Sequence, residues 1–115
     1  TKTSFHSDLK EYMDQFVQSV YDCTSTFPKE EVFGATSQLR RAALSVVLNY
    51  IEGYARQRKA VFKNFIELSY GSLKETKYLL YFSFKRNWIK EERWIKLNES
   101  SETIGKMLWG ILRKL

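Results

Sequence analysis

Apolar residues recur at three- and four-residue steps through four long stretches of this chain, and that period constrains its fold more than any single motif does. In the first stretch Phe5, Leu9, Tyr12, Met13, Phe16, Val20 and Cys23 carry the pattern; in the last it runs through Trp94, Leu97, Ser101, Ile104, Leu108, Ile111 and Leu115. The spacing predicts a helix from about Ser7 to Thr24 and a second from Thr36 or Ser37, either serving as N-cap, to about Ala55. A third is predicted from about Ala60 to Lys85 and a fourth from about Lys90 to Lys114. Phe27-Pro28 ends the first, because proline disfavours the helical region for the residue before it. Pro28-Lys29-Glu30-Glu31 suits one short turn closed by Gly34. The basic bend Arg56-Gln57-Arg58-Lys59 and the break at Arg86-Asn87 separate the rest.

With 1 Pro and 5 Gly in 115 residues, turn formers are too few for the many hairpins of a β-sandwich. The chain reads as one domain over residues 1–115, without a repeat or linker. The expected fold is all-α, an antiparallel up-down-up-down four-helix bundle. No apolar run approaches the roughly 18 residues of a membrane span, and no signal segment is visible, so a cytoplasmic protein without membrane contact is expected.

Composition narrows the chemistry. Cys23 is the single cysteine and His6 the single histidine, leaving no disulfide framework, structural zinc site or imidazole cluster. Cys23 falls on the apolar stripe of the first helix, as a core thiol would, with no histidine near enough to act as its base. Glu52 and Glu75 could in principle pair for acid–base work, but no apposed histidine, nucleophile or metal set accompanies them. The expectation is a binding protein, not an enzyme, without a cofactor.

The second helix is apolar on two sides. At 100° per residue, Leu39, Ala42, Ala43, Val46, Tyr50 and Tyr54 form one stripe, and Leu44, Leu48, Ile51 and Ala55 form another. A helix in a lone bundle turns one flank inward, so the second stripe predicts a homo-oligomer interface; the alternative is a skewed bundle that covers both stripes. Between them lie Gln38, Arg41, Ser45, Asn49, Glu52 and Arg56. The first five, with Glu75 of the third helix as partner for Arg41, are expected to form a structural polar network, direct ligand contact being the alternative. Gly71, inside the third helix, costs about 1 kcal/mol relative to alanine, which points to close helix approach. Gly53 suits a similar approach or the start of the chain reversal.

Charge is unevenly spread. Residues 1–34 hold 3 basic and 6 acidic groups, a balance of −3, whereas residues 35–90 hold 11 and 3, a balance of +8. The remaining segment brings the net charge to +6. On the third helix Lys63, Tyr70, Lys74, Lys77, Tyr81 and Lys85 share one face, with Glu67 the only acid among them and Arg56, Arg58 and Lys59 just upstream. Lysines neutralise phosphates without reading sequence, and tyrosines stack on unpaired bases, so these nine residues form a candidate RNA- or DNA-binding face. The alternative is solvated lysines beside amphipathic packing tyrosines. Aromatic residues reach 16%; Trp88, Trp94 and Trp109 are expected to cap or fill the bundle, or to serve an interface where exposed.

Phe27-Pro28, Glu31, Phe33-Gly34, the run Ser37-Gln38-Leu39-Arg40-Arg41-Ala42-Ala43-Leu44-Ser45, Asn49-Tyr50-Ile51-Glu52-Gly53, Phe65, and Gly71-Ser72-Leu73-Lys74-Glu75 occur in that order. Together they resemble the four-helix-bundle proteins encoded in intervening sequences of bacterial 23S rRNA genes, some of which carry a ribosomal-protein label. The resemblance implies a homo-oligomer, with a pentamer the expected form. It extends to accessory proteins of diversity-generating retroelements, which implies either nucleic acid or a protein such as a reverse transcriptase as partner. Lys85-Arg86-Asn87 stands where the family has a glycine-containing turn.

Overall fold

The computed structural model describes residues 2–115, with side chains from Ser4 onward. Its helices are α1 (Lys2–Thr24), α2 (Ala35–Tyr54), α3 (Lys59–Lys85) and α4 (Glu91–Arg113), with a 3₁₀ turn at Lys29–Glu31 between α1 and α2. Among the described residues there is no strand. At 1.5 Å per residue α3 is about 40 Å long, so one helix accounts for most of the 43 Å long axis.

Each helix packs on two others, α1 on α2 and α4, and α3 on α2 and α4, closing a ring around one core. Leu9, Met13, Phe16 and Val20 of α1 meet Leu39, Ala43, Val46 and Tyr50 of α2 there, with Ile66, Leu73 and Leu80 of α3 and Leu97, Ile104 and Leu108 of α4. Specific contacts tie consecutive helices together. His6 Nδ1 lies 2.6 Å from the Tyr50 hydroxyl, and Arg40 Nε donates to Thr24 Oγ1 at 2.7 Å. Ser69 Oγ donates to the Val46 carbonyl at 2.6 Å, and the Phe84 and Trp94 rings stack at 4.5 Å.

The α2–α3 pairing is tight because small residues line it. Buried Ser69, Thr76 and Ser83 alternate with Ile66, Leu73 and Leu80 at seven-residue steps along α3. Each hydroxyl donates to a backbone carbonyl, so no buried polar side-chain atom lacks a partner among the described residues. A Cβ on Gly53 would sit 3.2 Å from Phe65 Cβ, so Gly53 does serve close approach. Gly71 does not: a Cβ there meets nothing within 4 Å, and the glycine faces solvent.

Two termini differ from expectation. α1 begins at Lys2, not Ser7, since nothing between them breaks a helix. α2 begins at Ala35, with Gly34 in place of a Thr36 or Ser37 side-chain cap. The Ala35 N–H donates to Glu31 Oε1 at 3.1 Å, so a carboxylate from the 3₁₀ turn occupies the positive helix end. At the other turn Asn87 takes φ 66°, the left-handed conformation that the missing glycine would supply. Trp88 N–H bonds to the Ser83 carbonyl at 3.0 Å and Asn87 N–H to the Phe84 carbonyl at 2.9 Å, completing a Schellman end for α3.

Candidate functional site

α3 carries two unlike flanks. The flank beside α2 is largely apolar and uncovered, with exposed Arg41 of α2 and Glu75 of α3 set among its apolar residues. From α2, Leu48 is 58% exposed, Ile51 and Ala55 are exposed, and Leu44 is half-buried against the core. α3 adds Leu68, Tyr78 (62% exposed) and Phe82 at helical spacing, with open Gly71 among them. Apart from Leu44, the second apolar stripe of α2 is therefore left exposed by the chain's own helices. The signal for its α3 half was present in the sequence, in Leu68 three residues before Gly71 and in Tyr78 and Phe82 at seven- and four-residue steps after it.

The expected polar network forms only in pieces. Ser45 and Ser72 hydroxyls lie 2.8 Å apart, and Asn49 Nδ2 donates to the Ser45 carbonyl and hydroxyl, both at 2.9 Å. Glu52 pairs with Arg56 at 2.6 Å instead. Gln38, Arg41 and Glu75 are all exposed, and among the described residues no ion pair joins Arg41 to Glu75. Of the two adjacent arginines it is Arg40 that is structural: it holds the last turn of α1 through Thr24 and the Tyr21 carbonyl and lies over the Tyr21 ring at 4.5 Å.

The other flank of α3 faces α4 and is basic. Lys59, Lys63, Lys74 and Lys85 are exposed along it, Tyr81 is exposed beside Trp94, and Tyr70 is half-buried beside Trp109. Lys77 pairs with Glu102 of α4, whose carboxyl is held below the usual range by that hydrogen bond and charge, and secondarily by Lys74 and Lys106. Of the upstream cations, Arg58 is the exposed N-cap of α3, whereas Arg56 leans over the Phe65 ring at 5.3 Å and belongs to the α2 side. Lys106 and Trp109 of α4 also border this flank, and sequence reasoning missed them because they lie 21 or more residues from the α3 lysines.

Cys23 is buried, and burial raises its thiol pKa, an effect Arg93 only partly offsets. Among the described residues no three His, Cys, Asp or Glu side chains gather as metal ligands, and no helix is long and apolar enough to cross a membrane.

The fold defines an all-α, four-helix protein. A crystal structure from Bacteroides thetaiotaomicron, of a protein of unknown function in the S23 ribosomal protein family, is similar with a TM-score of 0.84. At 23% identity the likeness covers 90% of this chain and 97% of that one. No curated protein matches. The profile of the 23S rRNA-intervening sequence protein family matches residues 7–110, and the chain belongs to that family.

Proposed function

We propose that this chain is a non-enzymatic, cytoplasmic bundle whose helices run up-down-up-down, which assembles with copies of itself and binds RNA or DNA through backbone contacts. The observation that carries the reading is the division of α3 into an uncovered apolar flank and a basic, aromatic one. Leu44, Leu48, Ile51 and Ala55, joined by Leu68, Tyr78 and Phe82, supply the subunit contact, and a second copy is the occupant that matches an apolar face of this length. Gly71 has no intramolecular reason to lack a side chain, which supports close approach by another chain. The pentamer implied by the family resemblance remains the stoichiometry we propose. In the assembly we propose, the lysines of the α4-facing stripe stay open to solvent and to polyanions.

Lys63→Glu, Lys74→Glu and Lys77→Glu combined are expected to abolish retention of mixed nucleic acid at low salt while leaving the sedimentation coefficient unchanged. Absence of wild-type binding at low salt would sink the nucleic-acid reading, and a monomer at micromolar concentration would sink the assembly. A second reading, an adaptor for a protein such as a reverse transcriptase, draws on Phe33. It is 94% exposed at the end of a turn pinned by the Glu31 contact to α2, as an intermolecular anchor would be.

A further inference from the structure

The geometry points to a single-stranded nucleic acid as the ligand of the α3–α4 groove, held by Lys74 and Lys106 with an unpaired base stacked on Trp109. This rests on the nucleic-acid reading above and narrows it to one ligand class and one stacking residue.

The groove is shallow. A Cβ on Gly105 would meet Leu73 Cδ2 at 3.4 Å, so α3 and α4 approach closely beneath it, and buried Ser101 lies at its floor. Its volume of about 130 Å³ is well below the several hundred that enclose a small molecule, which leaves a ligand lying across the surface. Lys74, Lys77 and Lys106 border it against one carboxylate, Glu102, which Lys77 already engages. The indole of Trp109 stands among these cations, 53% exposed, with the Tyr70 ring beside it at 6.2 Å. Lys74 Nζ lies 5.1 Å from the centroid of that tyrosine ring.

Each alternative ligand leaves part of this arrangement unused. An apolar partner would bury the indole and strand the cations without counter-charge. A duplex would satisfy the lysines but keep its bases stacked inside. A single strand offers phosphates to the lysines and a free base face to the ring, the combination seen wherever single strands are bound without sequence preference. The flank extends about 39 Å from Lys59 to Lys85 at helical rise, room for several nucleotides.

The test is titration of the assembled protein with a 12-nucleotide oligo(U), an oligo(dT) of equal length and a 12-base-pair duplex, read by anisotropy and tryptophan fluorescence. Both single strands are expected to bind more tightly than the duplex and to quench fluorescence. Trp109→Ala should weaken the single strands by about 10-fold, the stacking contribution of one base, and leave the duplex unchanged. Trp109→Phe should restore most of the loss, and circular dichroism of both variants should match the wild type. Duplex affinity equal to or above that of the single strands, an unaffected Trp109→Ala, or equal competition by polyglutamate would overturn the assignment while leaving backbone binding in place. Failure of the wild type to bind any of the three would remove the parent reading.

Discussion

Glu31 shows how a residue outside a helix can decide where that helix begins. Its carboxylate accepts from the Ala35 N–H, and a Cβ on Gly34 would lie 2.8 Å from the same oxygen. Glu31→Ala is expected to lower stability by about 1 kcal/mol, the usual value of a lost cap, and Gly34→Ala to do the same by displacing the carboxylate. Urea midpoints of the two variants should therefore shift alike, and the double variant should fall short of their sum. Asn87 offers the converse case, since its φ of 66° costs a β-branched residue about 1–2 kcal/mol. Asn87→Val should destabilise by that amount and Asn87→Gly should not destabilise at all. Neither site was legible in full: the sequence pointed to Thr36 or Ser37 as the cap, because the 3₁₀ turn that brings Glu31 back is a three-dimensional event. Tyr50 makes a pH-dependent contribution. Burial first, then neighbouring Tyr54, pushes its hydroxyl far above the ordinary tyrosine range. Below about pH 10 that proton is bound in the folded and unfolded chain alike; above it the unfolded chain loses the proton first, so stability falls as pH rises. Urea midpoints measured from pH 8 to 11 should decline above pH 10, and Tyr50→Phe should decline less steeply from a lower start, having lost the contact with His6.

At the scale of helices, periodicity was the most legible property. The first stripe of α2 is the core stripe, with Leu39, Ala42, Ala43, Val46 and Tyr50 buried, and the second is exposed as far as this chain alone can cover it. What periodicity could not reveal was which helix lies beside which. That is why helical spacing suggests an Arg41–Glu75 pair whereas both residues stand exposed, and why it carries no sign of the α4 side of the basic groove. The two glycines of the α2–α3 pair separate tertiary from proposed quaternary packing. Gly53→Ala forces a Cβ to 3.2 Å from that of Phe65 and is expected to destabilise the fold, the strain outweighing the gain in helix propensity. Gly71→Ala meets no atom of its own chain and should raise the stability of the unassembled chain by up to about 1 kcal/mol. If the α2–α3 flank joins subunits, the same methyl group should weaken assembly. Thermal melts at low concentration together with sedimentation at high concentration would show the two opposite effects, and unchanged association would remove the glycine from the interface.

Considered as a whole, the molecule carries two unlike surfaces on adjoining stripes of one helix, and substitutions confined to one stripe can test their proposed roles separately. A single groove with a few lysines binds weakly, because each neutralised phosphate contributes modestly and salt competes for it. In the proposed ring the same groove would place several weak sites on one particle, and a strand long enough to reach two of them would be held by effective concentration. Leu48→Glu with Leu68→Glu, both on the exposed apolar flank and neither buried in the core, should therefore yield a folded but unassembled chain. Its affinity for an oligonucleotide short enough to occupy one groove should match that of the wild type. For a strand of several times that length the wild type should bind about 100-fold or more tightly than the double variant, the usual range for linked sites. The slope of log affinity against log salt should steepen with strand length in the wild type and stay constant in the variant, since only the assembled form recruits further phosphates. Equal affinities at every length would mean that assembly contributes nothing to nucleic-acid binding. The apolar flank would then serve a role separate from the basic one.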